Sequence, residues 1–146
     1  MFKKSGEILL AVLVLMVMLG TGGCEGEVSI TTAHFNEATM ALGVDANNKP
    51  VDPTTVFSTE IPEIFCSAKL SNAPDDTEIN SSWIYVKGEL ADLTDYEIGN
   101  YTLTTGGTQY IQFSLTKPDN GWPRGNYKLV LSIDGKEVET LEFTVE

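Results

Sequence analysis

The sequence holds one histidine, His34, and two cysteines, Cys24 and Cys66, and sets 9 lysines and arginines against 21 aspartates and glutamates. Each shortage excludes a class of chemistry. A zinc site needs three or four ligands, mostly nitrogen and sulfur, and these residues cannot supply them. A copper site built on His34 and Met40 fails for the same reason. A Ser-His-Asp arrangement would have to use His34, which sits in TTAHFNE with no G-x-S-x-G setting near it. A net charge of −12 without a basic stripe leaves no means of neutralising phosphates, so nucleic acid is not an expected partner. Calcium takes oxygen ligands, and Asp75, Asp76 and Glu78, or Asp92, Asp95 and Glu97, could offer some. Neither group has EF-hand spacing, so both read as solvated turns. No metal and no cofactor are expected.

Long apolar runs are also absent. Ile8–Leu19 lacks a polar side chain but falls short of the roughly 20 helical residues that a hydrocarbon core requires. With Lys3 and Lys4 before it and small residues after it, the stretch reads as a signal helix of the secretory type. The run that follows, Thr21-Gly22-Gly23-Cys24, resembles the lipobox of bacterial lipoproteins. Two positions depart from that pattern: Thr21 stands where leucine is usual, and Glu7 interrupts the basic segment.

The resemblance implies a signal peptide over 1–23, acylation of Cys24, a tether over 24–27 and a folded domain over 28–146. The other reading is a plain secretory signal cleaved near Gly23, leaving Cys24 free. Both place the domain outside the cytoplasm, on the periplasmic or cell-surface side. Several acyl chains hold a protein stably where one chain is marginal. The tether reaches only about 10 Å at about 3.5 Å per residue, which keeps the domain near the lipid. Its acidic charge meanwhile opposes contact with anionic head groups, or serves solubility alone.

Lipidation of Cys24 would leave Cys66 alone, so no disulfide framework is available. In EIFCSAKL, Ile64, Cys66, Ala68 and Leu70 share one face, which makes Cys66 a small core hydrophobe. Period-two alternation recurs through the rest of the chain, and no helical period lasts more than two turns. It predicts a broken first strand over Val28–Phe35 and Met40–Val44, an irregular connection over DANNKPVDPTT, and a strand over Glu63–Ser71. A turn at NAPDDT, a strand over Glu78–Lys87 and a less regular stretch over Glu89–Thr105 follow. Further strands are expected over Tyr110–Thr116, Asn126–Asp134 and Lys136–Val145. Asp134-Gly135 is a two-residue hairpin signal, and a change of phase between Val138 and Leu141 predicts a bulge. About seven strands with such turns predict an all-β antiparallel sandwich.

Cys66 on the second strand, Trp83 on the third and Gly125-Asn126-Tyr127-Lys128-Leu129 on the sixth resemble the immunoglobulin-like and fibronectin-like pattern. In it, a cysteine, a tryptophan and a tyrosine corner mark successive strands. Leu129 stands where the second cysteine would be, so the resemblance implies an apolar cluster of Cys66, Trp83 and Leu129 in place of a bridge. It also implies that the Tyr127 hydroxyl closes the corner. As a whole the chain resembles small prokaryotic lipoproteins carrying one such domain.

Tyr85, Tyr96, Tyr101, Tyr110 and Trp122 are candidates for exposed aromatics that contact a sugar or a protein. The other reading has them covering sheet edges and ends, with Trp122 as a lid. Asn80-Ser81-Ser82 and Asn100-Tyr101-Thr102 match the N-glycosylation pattern, which a bacterial lipoprotein ordinarily leaves unmodified.

The expected function is a membrane-anchored binding or assembly module without catalysis, contacting a protein or glycan. An accessory subunit of a membrane enzyme or transporter is the alternative, and a small carbohydrate-binding module stands behind both. Replacing Cys24 with serine is expected to move the protein from the membrane fraction to the soluble fraction and remove the acyl mass. Unchanged retention and mass would overturn the anchor.

Overall fold

Alternating side chains need a sheet with a covered and a solvated face, and the chain supplies one whose order is set by a single long ribbon. The computed structural model describes residues 30–146. The signal segment 1–23 with its helix, Cys24 and the tether lie outside the described residues, as does Val28. The strands are β1 (His34–Val44), β2 (Pro50–Pro53), β3 (Val56–Phe57), β4 (Glu63–Gly88), β5 (Tyr96–Thr116), β6 (Gly125–Ile133) and β7 (Lys136–Val145). They form one seven-stranded sheet in the order β2-β1-β4-β6-β7-β3, with β5 paired to β4. All pairs are antiparallel except β3 with β7.

The turn expected at NAPDDT does not reverse the chain. Asn72 and Asp76 take left-handed conformations, at φ 52° and 65°, within a strand that continues through them. Asn and Asp tolerate that region at low cost, so the residues that suggested a turn instead bend β4. The Thr77 hydroxyl donates to the Pro74 carbonyl at 2.7 Å and fixes the bend. β5 bends beside it, with Ala73 opposite Gly107, so the two stay paired from Glu63↔Thr116 to Tyr85↔Tyr96. The expected irregular stretch and the separate strand at Tyr110 are accordingly one strand of 21 residues.

Two smaller expectations also change. The first strand is continuous from His34, with a bulge at Asn36, whose side-chain oxygen accepts the Ser71 hydroxyl. The connection after Val44 is not wholly irregular, since Pro50–Pro53 pairs with β1 and Val56–Phe57 with β7.

One edge of β4 pairs with β5 from Glu63 to Tyr85. The other edge pairs first with β1, over Phe65–Ser71, and then with β6, over Ile79–Gly88. Because the ribbon bends between them, the sheet curls, and residues of both halves meet in one core. Ile64, Cys66, Leu70 and Phe113 from one half join Ile79, Trp83, Leu129, Leu131 and Phe143 from the other. Cys66, Trp83 and Leu129 are each fully buried, and Trp83 and Leu129 are register partners. Burial pushes the free Cys66 thiol up to about 12, so it stays protonated and unreactive at neutral pH. The Ser81 hydroxyl and the Trp83 Nε1 are buried without a hydrogen-bond partner among the described residues.

Asp134 and Gly135 both take positive φ, 49° and 86°, which makes the hairpin before β7 a type I′ turn. Leu131 lies opposite Glu139 and Ser132 opposite Glu137, leaving Val138 as the extra residue of a bulge. At the far end of β6 the Tyr127 hydroxyl donates to the Pro123 carbonyl at 2.5 Å, four residues upstream. Burial raises its pKa well above the ordinary value. Gly88 and Gly125 pair directly below. A Cβ on Gly125, at φ 152°, would lie 2.4 Å from the Lys87 carbonyl oxygen and 2.8 Å from the Gly88 Cα. Gly125→Ala is therefore expected to cost about 2–3 kcal/mol, read as a lower urea midpoint. A loss under about 0.5 kcal/mol would show that the two backbones separate freely.

Candidate functional site

The same corner floors an apolar groove. Residues Glu89–Asp95 connect β4 to β5 and cannot swing away, because both ends are tied. Tyr85 Oη accepts from the Leu90 amide at 3.0 Å and donates to the Arg124 carbonyl at 3.3 Å. The Glu89 amide donates to the Arg124 carbonyl and the Asp95 amide to the Val86 carbonyl, at 3.0 and 2.9 Å. Between this connection and the Pro118–Pro123 loop lies a cavity of about 170 Å³. Tyr85, Trp122 and Tyr127 form its floor, and Leu93, Leu115 and Pro123 its walls. Leu90, Tyr96 and Ile98 form the rim and stay 40%, 51% and 36% exposed.

A bulge helps to build that rim. Gly99 lies opposite Trp83 and Glu97 opposite Ile84, so Ile98 has no partner on β4. The extra residue adds Ile98 to the side that carries Tyr96, Gly99 and Tyr101. Gly99 leaves room there: a Cβ on it would meet Leu115 Cδ1 at 3.0 Å and Tyr101 Cε2 at 3.1 Å. The Tyr101 ring thus extends the apolar strip from the groove along β5. Leu90, Leu93, Ile98 and Leu115 were not among the sequence candidates, because each alone reads as an ordinary strand or loop hydrophobe.

The aromatic candidates separate. Tyr96 and Tyr101 are about half exposed and share the strip. Tyr85 is 1% exposed and belongs to the floor, which corrects its reading as a contact residue. Trp122, at 3%, is scaffold as well: its Nε1 donates to the Ile61 carbonyl at 2.8 Å and its ring packs edge-on to Tyr127. Tyr110 lies elsewhere, on the other half of β5. Its hydroxyl donates to Glu37 at 2.9 Å, and Lys49 and Lys69 stand 5.5 and 5.9 Å from its ring centre. Its surroundings are already committed.

The opposite face of this part of β5 is a polar network. Ser82 and Asn100 donate to Glu97 Oε1, and Asn80 donates to Asn100 and Thr102. The Ser82 hydroxyl first, and then the Asn100 amide, hold the Glu97 carboxyl below its ordinary range, so it is charged at neutral pH. From Gly88 to Thr116 there is no lysine or arginine, while Glu89, Asp92, Asp95 and Glu97 crowd its first ten positions. Among the described residues the one salt bridge is Lys117–Glu60, so these four carboxylates have no cationic partner. That run was the signal in the sequence that could have marked the groove. His34 is exposed, with Nδ1 3.0 Å from the Thr32 carbonyl oxygen. Among the described residues no three His, Cys, Asp or Glu side chains cluster as a metal site would require.

No protein-family model and no curated protein matches the chain. Solved structures do resemble it. An immunoglobulin-like protein from Pseudomonas aeruginosa aligns over 81% of this chain and 99% of its own, at 11% identity and a TM-score of 0.53. The alkylpurine DNA glycosylase AlkC of Pseudomonas fluorescens, solved on DNA with an abasic-site analog, aligns over 80% of this chain at 14% identity and a TM-score of 0.50. This chain spans only 31% of that enzyme. At such identities the likeness concerns the fold: the protein is all-β with an immunoglobulin-like neighbour.

The division into scaffold and contact residues is measurable. Trp122→Ala is expected to cost about 3–5 kcal/mol of stability in urea unfolding. Tyr96→Ala and Tyr101→Ala should stay within about 0.5 kcal/mol of the parent. A large loss at either tyrosine would return it to the scaffold.

Proposed function

We propose that this protein is a lipid-anchored, extracytoplasmic binding or assembly module that acts without catalysis, built as an immunoglobulin-like β-sandwich. The observation that carries the reading is the groove: exposed Leu90, Tyr96 and Ile98 around a floor whose aromatic rings are locked by hydrogen bonds. Apolar side chains held open to water on a fixed frame suit contact with another molecule. The chemical groups elsewhere suit the same role. The Cys66 thiol is buried and protonated, and the His34 ring contacts the Thr32 carbonyl just before β1. The lipobox-like TGGC and the short tether would hold this surface close to the membrane. A protein or a glycan of the cell envelope is the expected partner. An acidic chain remains a poor match for nucleic acid.

A photo-cross-linking amino acid at position 96 of the full chain, in its native membrane, tests the reading. Irradiation is expected to give discrete adducts from position 96 and few from position 137, which is exposed on β7. A glycan array probed with the same full chain assigns a sugar partner if adducts to protein are missing. No adduct and no glycan, or equal labelling from both positions, would overturn the groove as the contact surface.

A further inference from the structure

We infer that the free edge of β5 over Tyr96–Thr105 is a strand-addition site for an extended basic segment of a partner protein, with one apolar side chain entering the groove. The inference rests on the binding reading above and names the chemistry of its partner.

The first observation is the edge itself. Among the described residues β5 pairs with β4 alone, so its second edge presents amides and carbonyls outside that ladder. Proteins normally blunt such an edge with lysines, prolines or shortness. This strand is 21 residues long and holds no lysine, arginine or proline; its one charge is Glu97. The half beyond the bend is partly occupied, since the Asn48 amide reaches the Tyr110 carbonyl at 3.4 Å. Among the described residues, no side chain or loop hydrogen-bonds to the backbone of Tyr96–Thr105 except through the ladder with β4. That half spans about 33 Å at roughly 3.3 Å per residue, enough for a full partner strand.

The second observation is the groove, which opens beside this edge at the Ile98 bulge. A strand added to β5 continues the sheet, and every second side chain of it faces the side that carries Ile98 and Tyr101. One of these reaches the cavity of about 170 Å³, a volume suited to a single apolar side chain.

The third is charge, which selects the occupant. Glu89, Asp92 and Asp95 of the connection, and Glu97 on the opposite face of β5, have no salt-bridge partner among the described residues, and Glu89 and Asp119 line a pocket that adjoins the groove at Leu90 and Trp122. A segment with lysine or arginine flanking its apolar residue complements that field. A second copy of this chain does not: it would bring the same carboxylates to the same edge, on a protein already at −12.

The test pans a random dodecapeptide library against the full chain in detergent micelles. Enriched peptides are expected to be basic and to alternate apolar with polar residues. The best of them should lose at least about tenfold in affinity when alternate backbone amides are N-methylated, because two or three ladder bonds disappear. Asp92→Asn, Asp95→Asn and Glu97→Gln together should weaken it roughly tenfold and flatten its salt dependence. Ile98→Lys, at an exposed position, should abolish binding with an unchanged melting temperature. Enrichment of acidic or helical peptides, insensitivity to N-methylation, or no enrichment would overturn strand addition. So would a dimer that sediments as such and dissolves on Ile98→Lys, which would assign the edge to a second copy. Adducts from position 96 in cells alongside any of these failures would leave the binding reading standing. Their absence together with a blank glycan array would remove both.

Discussion

Backbone pairing along a bent ribbon governs the rest of this structure. Every amide and carbonyl taken from water must find a partner, and β4 and β5 satisfy one another over some twenty residues while turning through a bend. A clean reversal at NAPDDT would have given two short strands and a loop. The left-handed Asn72 and Asp76, matched by Gly107 on β5, let the ladder bend without ending. The outer edge of β4 can then serve β1 on one side of the bend and β6 on the other. The single core follows from that division, because the two halves of one sheet face each other across Cys66, Trp83, Leu129 and Phe143.

The end of the body by the groove is fixed by fewer residues with more specific demands. Gly88 and Gly125 approach so closely that neither tolerates a side chain. Above them Tyr85, Trp122 and Tyr127 each carry an apolar ring and a polar tip. Each tip is satisfied by backbone: Arg124 for Tyr85, Ile61 for Trp122 and Pro123 for Tyr127. Three rings anchored in this way keep the connection Glu89–Asp95 and the loop Pro118–Pro123 apart at a fixed spacing. The groove between them is therefore a consequence of the corner rather than a separate device.

Much of this was legible in the residues. Alternation located β6 and β7 and the inward face of Ile64–Leu70; Asp134-Gly135 marked its hairpin; the change of phase after Val138 marked a bulge. What misled was chemistry with two uses. Asn and Asp in NAPDDT tolerate positive φ, and positive φ serves a bulged bend as well as a turn. Whether a strand continues is decided by the neighbour that pairs with it, and Gly106-Gly107 lies some thirty residues away. The groove was hidden for a similar reason. Aromatic residues were the visible candidates, yet Tyr85 and Trp122 became floor, and the rim fell largely to Leu90 and Ile98, which only a register shift brings together.

The acidic balance of the chain gains a specific sense from this geometry. Spread evenly, carboxylates do little beyond maintaining solubility. Here the long edge, which carries a single charge and would otherwise invite pairing between copies, begins beside four carboxylates that form no salt bridge among the described residues. Repulsion at that point supplies what lysines or prolines on the edge supply elsewhere. It does so without blocking the edge, because a charged residue within Ile98–Thr116 would obstruct any strand, whereas carboxylates at its border obstruct only strands of the same sign. If partner strands add at this edge, its border would discriminate between them by charge and the groove beside it by shape.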